Sequence, residues 1–152
     1  MRNVDSLSYQ GKIVWNRISS ELCFSYDNRG RFILDSMFMI NAANEIFVRY
    51  LLGVLNSNIS RHWIRQNAAT LGEGIYGAKI YIEKLPIPKI TESNQTLCDE
   101  IMALVDRILE VKAKDSTTDT SELESKIDKL VYNLYNLTKE EIQNIKAINK
   151  CL

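Results

Sequence analysis

Two prolines, six glycines, three cysteines and one histidine among 152 residues exclude several common designs. Cys23, Cys98 and Cys151 are odd in number and widely spaced, and with a single His62 they argue against a disulfide framework and against a zinc site. The chain has no apolar run of the roughly 18 residues needed to span a membrane, and residues 1–11 carry no signal-peptide core. It therefore reads as cytoplasmic, with no membrane association. GxSxG, HExxH, P-loop and CxxC patterns are all absent, which removes the common hydrolase, protease and NTPase signatures. His62 beside Trp63 has no evident partner for general-base work. Asp27, Asp35, Glu73 and Glu83 are too scattered to suggest a nuclease metal site. The expectation is a chain that is not itself an enzyme and that holds no metal and no cofactor.

The composition is that of an ordinary soluble protein, 45% hydrophobic and 25% charged. Its zero net charge conceals an asymmetry: residues 1–90 carry 11 Lys and Arg against 7 Asp and Glu (+4), and residues 91–152 carry 8 against 12 (−4). Seven of the eight arginines (Arg2, Arg17, Arg29, Arg31, Arg49, Arg61, Arg65) precede residue 90, and only Arg107 follows it. Arginine is the side chain best shaped to grip phosphates and guanine edges. On charge alone, an ordinary solvated surface is an equal alternative.

Periodicity predicts an α+β fold. "KIVWNRI" (12–18), "LCFSY" (22–26) and "RFILDSMFMI" (31–40) have strand character, with the turn signal "DNRG" between the last two, giving a small mixed or antiparallel sheet with a charged hairpin tip. Phe47, Tyr50, Leu51, Val54, Leu55 and Ile59 then recur at helical spacing and mark a helix packed on that sheet. The helix either breaks near Asn56, Ser57 and Asn58 or projects past the core, and both options expose Arg61 and Arg65. "LGEGIYG" contains a GxGxxG at Gly72, Gly74 and Gly77, but it follows a helix and precedes a predicted strand, 78–84, the reverse of the order a dinucleotide site needs.

Pro86 and Pro88 in "LPIP" mark a boundary near residue 90. The expected organisation is a globular module over 1–90 and a helical module over 91–152. Leu97, Ile101, Leu104, Val105, Ile108 and Val111, and later Leu123, Ile127, Leu130, Val131 and Leu134, predict an antiparallel helical hairpin across the polar "KDSTTDT". Capping boxes at "SELE" (Ser121, Glu124) and "TKEE" (Thr138, Glu141) start its second helix and a short third one.

In this order, "KIVWNRIS", "DNRGRFILDSMFMIN", "YLLGVLNSN", "AKIYIEKLPIPKI" and "IDKLVYNLYNLTKEEI" resemble the C-terminal TaqI-like specificity domain of type IIG restriction-modification enzymes. They are also similar to the target recognition domain and helical spacer of type I specificity subunits. The resemblance covers roughly residues 12 to 149, and "LNS", "LPIP" and the last segment are its most specific parts. It implies a module that selects a sequence in double-stranded DNA for an attached adenine-specific methyltransferase and, in fused enzymes, a nuclease. The helices would dock on those domains or on a separate methyltransferase subunit, or pair in a dimer. "NPPY", a glycine-rich S-adenosylmethionine loop and a PD-(D/E)xK carboxylate set are all absent, so S-adenosylmethionine and Mg2+ are expected only in parent domains. The abrupt start before the first matched strand suggests a fragment of a larger enzyme or a shortened specificity subunit.

Under that resemblance, lysines and arginines neutralise phosphates and a few side chains read base edges in the major groove. Asn28, Arg29 and Arg31 of "DNRGR" are the first candidates for groove insertion, with a solvated tip as the alternative. Arg61, Arg65 and Lys79 are assigned to phosphates, and Asn16 and Arg17 beside Trp15 are further candidates. Gly72, Gly74 and Gly77 would let a loop approach the DNA backbone, with Tyr76 available to a phosphate or sugar, unless the turn is purely structural. The alternative function is a helical protein-interaction or dimerisation module without direct DNA binding. Its mark would be unburied apolar groups such as Leu109, Tyr132 and Tyr135 forming a docking seam.

Overall fold

The computed structural model describes residues 11–30, 35–41, 44–72, 74–76 and 79–150. The chain opens with β1 (Lys12–Asn16), bends at Arg17, and continues into β2 (Ile18–Ser19), β3 (Ser25–Asp27) and β4 (Met37–Asn41). What the sequence offers as one strand over 12–18 is thus two. The bend sends the Arg17 N–H to the Ser36 carbonyl, 2.7 Å away, and lets β1 and β2 enter different sheets. β1 is the centre of the first sheet, in the order β3-β1-β4, and is antiparallel to both neighbours. Ile13 and Trp15 point from it into the core, where Trp15 stacks in tilted contact with Phe24 and Phe38.

The strand order corrects the predicted hairpin. Asp27 and Asn41 both register with Lys12 from opposite sides of β1, so β3 and β4 are not paired and run parallel to each other. β3 ends at the Lys12 end of the sheet, and β4 begins at the Asn16 end. "DNRG" does turn, with Gly30 at φ +67°, but it does not join paired strands. A turn signal records a local reversal and carries no information about which strand the returning chain will pair with.

α1 (Glu45–Leu55) ends at Asn56, and α2 (Asn58–Asn67) starts afresh from an N-cap at Ser57. Of the two options the sequence left open, the chain takes the break near Asn56. Asn56 makes it: its Nδ2 donates to the Leu52 and Phe24 carbonyls (3.0 and 2.9 Å), and its Oδ1 accepts from the Phe24 N–H (3.0 Å). One side-chain amide thus terminates a helix and occupies the backbone groups just before β3. The buried surface of α1 is wider than one stripe, with Val48, Tyr50 to Leu55 all inside, whereas Phe47 is 40% exposed. Helices pack on two sides of α1, so a single-face periodicity underestimates its burial.

β5 (Thr70–Leu71) and β6 (Gly74–Tyr76) form a small hairpin, with Gly72 at φ +63° between them, and β6 pairs with β2 in the second sheet, in the order β2-β6-β5. The predicted strand over 78–84 is instead a four-residue helix, α3 (Lys79–Ile82). Apolar alternation over so few residues fits one helical turn equally well, and here the residues three apart, Ile82 and Leu85, are buried while Ile80 is 58% exposed. The glycines therefore do precede a helix, but a single turn carries no useful dipole for a pyrophosphate. Gly77 lies outside the described residues.

"LPIP" leads to α4 (Gln95–Lys114), α5 (Ser121–Leu134) and α6 (Lys139–Lys150). The extended proline segment is pinned from two helices: Tyr50 of α1 donates its hydroxyl to the Pro88 carbonyl (2.6 Å) and Tyr135, just past α5, to that of Pro86 (2.5 Å). Burial pushes the Tyr135 hydroxyl up to about 12 and Tyr50 higher still. The "TKEE" box forms as expected, Thr138 N–H to Glu141 Oε2 (2.7 Å) and Glu141 N–H to Thr138 Oγ1 (3.2 Å). The "SELE" box does not: the cap is Thr120, and Asp119 Oδ1 takes the Ser121 N–H (2.9 Å). A buried Thr120 one residue earlier wins the cap position from Ser121.

One hydrophobic cluster joins Ile13, Trp15 and Phe24 of the sheet to Leu51, Leu52 and Leu55 of α1, Ile101 and Val105 of α4, and Ile127 and Val131 of α5. α1 and α4 approach closely at Gly53, where a Cβ would lie 2.8 Å from Ile101 Cγ2 and 3.0 Å from Val105 Cγ2. Arg49 bridges the same helices by pairing with Asp106 and, at 3.4 Å, with Glu45.

Candidate nucleic-acid interface

The central strand β1 sorts the candidate residues. At its Lys12 end, Lys12 Nζ and Asp27 Oδ2 form a nearly buried ion pair at 3.3 Å. The other carboxylate oxygen of Asp27 accepts from the Arg29 N–H at 3.0 Å. Asp27 therefore fixes the turn from both sides, and Asn28, Arg29 and Gly30 face solvent. Gly30 has open space around it, so its positive φ, not crowding, accounts for a glycine there. Arg31 lies outside the described residues.

At the opposite end, Asn16 and Arg17 are exposed, and the Arg17 guanidinium lies 5.3 Å from the centre of the Phe38 ring. Ile18 registers with Tyr76, which brings the β6 backbone beside this second group, three residues before Lys79. Asn16, Arg17 and the strand carrying Tyr76 thus come together, whereas Asn28 and Arg29 are held apart from them by the length of β1, roughly 13 Å. Lys79 is exposed and pairs with Glu83 at 3.0 Å.

Arg61 and Arg65 are not as exposed as the sequence implied. Their side chains are 35% and 21% accessible, and both turn to Glu21 in the loop between β2 and β3, with Arg61 Nε 3.0 Å and Arg65 Nη2 3.7 Å from Glu21 Oε1. Helix α2 breaks away from α1 and folds back over that loop, which is why its arginines find a partner. Arg49 is committed to the α1–α4 contact already described.

Sequence reasoning missed Glu21, Asp128 and the tie from Asn56 to Phe24, because each acts through a partner distant in the chain. Asp128 of α5 accepts the Asn58 N–H at 2.8 Å, so it satisfies an unpaired donor in the first turn of α2. Burial raises its pKa; the Asn58 hydrogen bond and the Arg61 charge oppose that rise only in part. Arg61 and Asp128 share the wall of a groove of about 730 Å³ between β3 and the α4–α5 hairpin, with Asn58, Lys112 and Glu124.

Tyr132 is buried, the Tyr135 hydroxyl is bound to Pro86, and Leu109 packs on the core, so the apolar groups offered as a docking seam are used internally. The exposed large apolar residues among those described, Ile18, Met39, Ile46, Phe47 and Ile80, all precede residue 90. Among the described residues, no three His, Cys, Asp or Glu side chains are grouped to hold a metal, and no helix is long and apolar enough to cross a membrane. Cys23 and Cys98 are free thiols.

In this α+β body braced by a helical hairpin, an arginine stands beside each end of the central strand: Arg29 in the turn after β3 and Arg17 at the bend after β1. The family model of the TaqI-like C-terminal specificity domain matches residues 2–87, more than half of the chain, and the chain belongs to that family. It is thereby a DNA target recognition module of the restriction-modification type, and such a domain is not itself catalytic. No curated protein matches the chain.

Proposed function

We propose that this chain selects a DNA sequence for an adenine-specific methyltransferase, joined to it in one polypeptide or carried as a separate subunit, with a nuclease in fused enzymes. The family match over residues 2–87 carries this reading. The outward arginines of the sheet supply the contacts. Arg29 with Asn28, and Arg17 with Asn16, stand at two ends of β1, and their separation is comparable to the roughly 12 Å width of the major groove. They can therefore meet two sides of one groove, in place of the single inserted hairpin the sequence suggested. The β6 backbone at Tyr76 flanks the Arg17 group, and Lys79 follows it by three residues in the chain. In this reading residues 1–90 do the reading, 91–152 dock the enzyme, and S-adenosylmethionine and Mg2+ belong to the enzyme domains. Dimerisation through the C-terminal helices is less well supported, because their apolar residues are packed inside.

The test is binding of the full chain to duplex DNA across a salt series, with an Arg17→Ala, Arg29→Ala variant. Binding should weaken steeply with salt, and the variant should flatten the slope by about 1 for each phosphate it no longer neutralises. An arginine that reads a base edge should, when replaced, cost about 1–3 kcal/mol on the preferred sequence. Absence of binding by the wild type at low salt sinks the reading.

A further inference from the structure

The second sheet turns one side to the core and the other away from it. Ile75 of β6 packs against the main hydrophobic cluster, so its neighbour Tyr76 points to the opposite side of the sheet. Ile18 of β2 is the cross-strand partner of Tyr76, which places both side chains on that outer side with their Cβ atoms about 5 Å apart. Ile18 is 49% exposed and Tyr76 half-buried. The backbone under this pair is fixed on both sides of Ile18: the Arg17 N–H donates to the Ser36 carbonyl at 2.7 Å, and the Ser19 hydroxyl to the Glu21 carbonyl at 2.6 Å. An apolar side chain is thus held at the surface, next to the exposed Asn16 and Arg17.

Charge decides what this pair faces. Arg17, whose guanidinium lies over the Phe38 ring, keeps a positive charge at the surface beside Ile18. Ile46 and Phe47, exposed at the start of α1, instead follow directly on Glu45. A polyanion is drawn to the first apolar pair and not to the second. We propose that Ile18, braced by Tyr76, recognises thymine by packing on its 5-methyl group in the major groove, beside the base edges that Asn16 and Arg17 meet. The proposal rests on the DNA-recognition reading above. It adds to that reading the apolar mark of the major groove, which an aliphatic side chain detects and a hydrogen-bonding one does not. The strand pairing pre-organises the contact, so little is lost in ordering Ile18 when duplex binds.

The full chain should be used to enrich duplexes from a random-sequence library. The enriched duplex should then be compared with a copy carrying deoxyuridine for thymidine, which removes the methyl groups and leaves every phosphate and hydrogen-bonding edge in place. The wild type should bind the thymine form about fourfold more tightly for each methyl contacted. Ile18→Ser and Ile18→Gln should bind the two forms alike, whereas Ile18→Val and the distant control Ile46→Ser should keep the wild-type ratio; the loss of coupling between side chain and methyl is read as a double-mutant cycle. A wild type that binds both forms equally, or an Ile18→Ser or Ile18→Gln chain that keeps the wild-type ratio whether or not its affinity falls, overturns the proposal and leaves the DNA reading intact. Affinity unchanged on both forms in these variants would give the exposed Ile18 to a protein partner instead. Absence of any enriched sequence with the wild type overturns both.

Discussion

Asp128 occupies a place that a carboxylate tolerates poorly and that its backbone partner needs. Burial raises its pKa above the ordinary carboxylate value. The folded state therefore holds its proton more tightly than the unfolded chain does, and this group's contribution to stability falls as pH rises from the ordinary value through the raised one. Asparagine at this position keeps an acceptor for the Asn58 N–H without the charge. The melting-temperature difference between Asp128→Asn and the wild type should therefore move in favour of the variant between about pH 4 and about pH 7. A difference independent of pH would mean the carboxylate is comfortable where it is. Asp115, Asp119 and Glu122, whose pKa values are lowered by local hydrogen bonds, pull wild-type stability the other way on acidification, and the comparison with the variant cancels them. None of Asp128's role was legible in the sequence, because its partner lies 70 positions away.

Elements in this fold are positioned by small local devices, and two of them decide how α1 meets its neighbours. Gly53 sits inside α1, where alanine would favour the helix by about 1 kcal/mol. The same methyl would lie 2.8 Å from a methyl of Ile101 on a stiff, β-branched side chain, and such overpacking costs about 1–3 kcal/mol. Gly53→Ala should therefore lower stability by up to about 2 kcal/mol in urea unfolding. A stabilised variant would show that α1 and α4 can part without cost. At the end of the same helix, Asn56 ties Leu52 to Phe24 and so sets the direction in which α2 departs. The break itself could be read from "NSN", and the helix spans and the "TKEE" box from their spacing, because those signals are local. The pairing of β3 and β4 with β1 on opposite sides could not, and neither could the turn at 79–82, where too few residues distinguish a period of two from one of three.

At the scale of the whole molecule, the sheet and the helical hairpin share one core. Ile101, Val105, Ile127 and Val131 each contribute about 1.5–3 kcal/mol by burial, a sum comparable to the roughly 5–15 kcal/mol that holds a domain together. A chain ending at residue 90 should therefore lose cooperative thermal unfolding, measured by circular dichroism. A sharp transition in that truncated chain would establish the first ninety residues as an independently folding unit. The sequence by itself determined the α+β class, the long helices, the concentration of arginine before residue 90 and, through the order of its segments, the family, since all of these follow from residue type and spacing along the chain. Only the tertiary structure decided which arginines face solvent. It set Arg17 and Arg29 at opposite ends of one strand, turned Arg49 to Asp106 and brought Arg61 and Arg65 to Glu21, because an ion pair depends on distance in space and charges far apart in sequence meet only once the chain has packed.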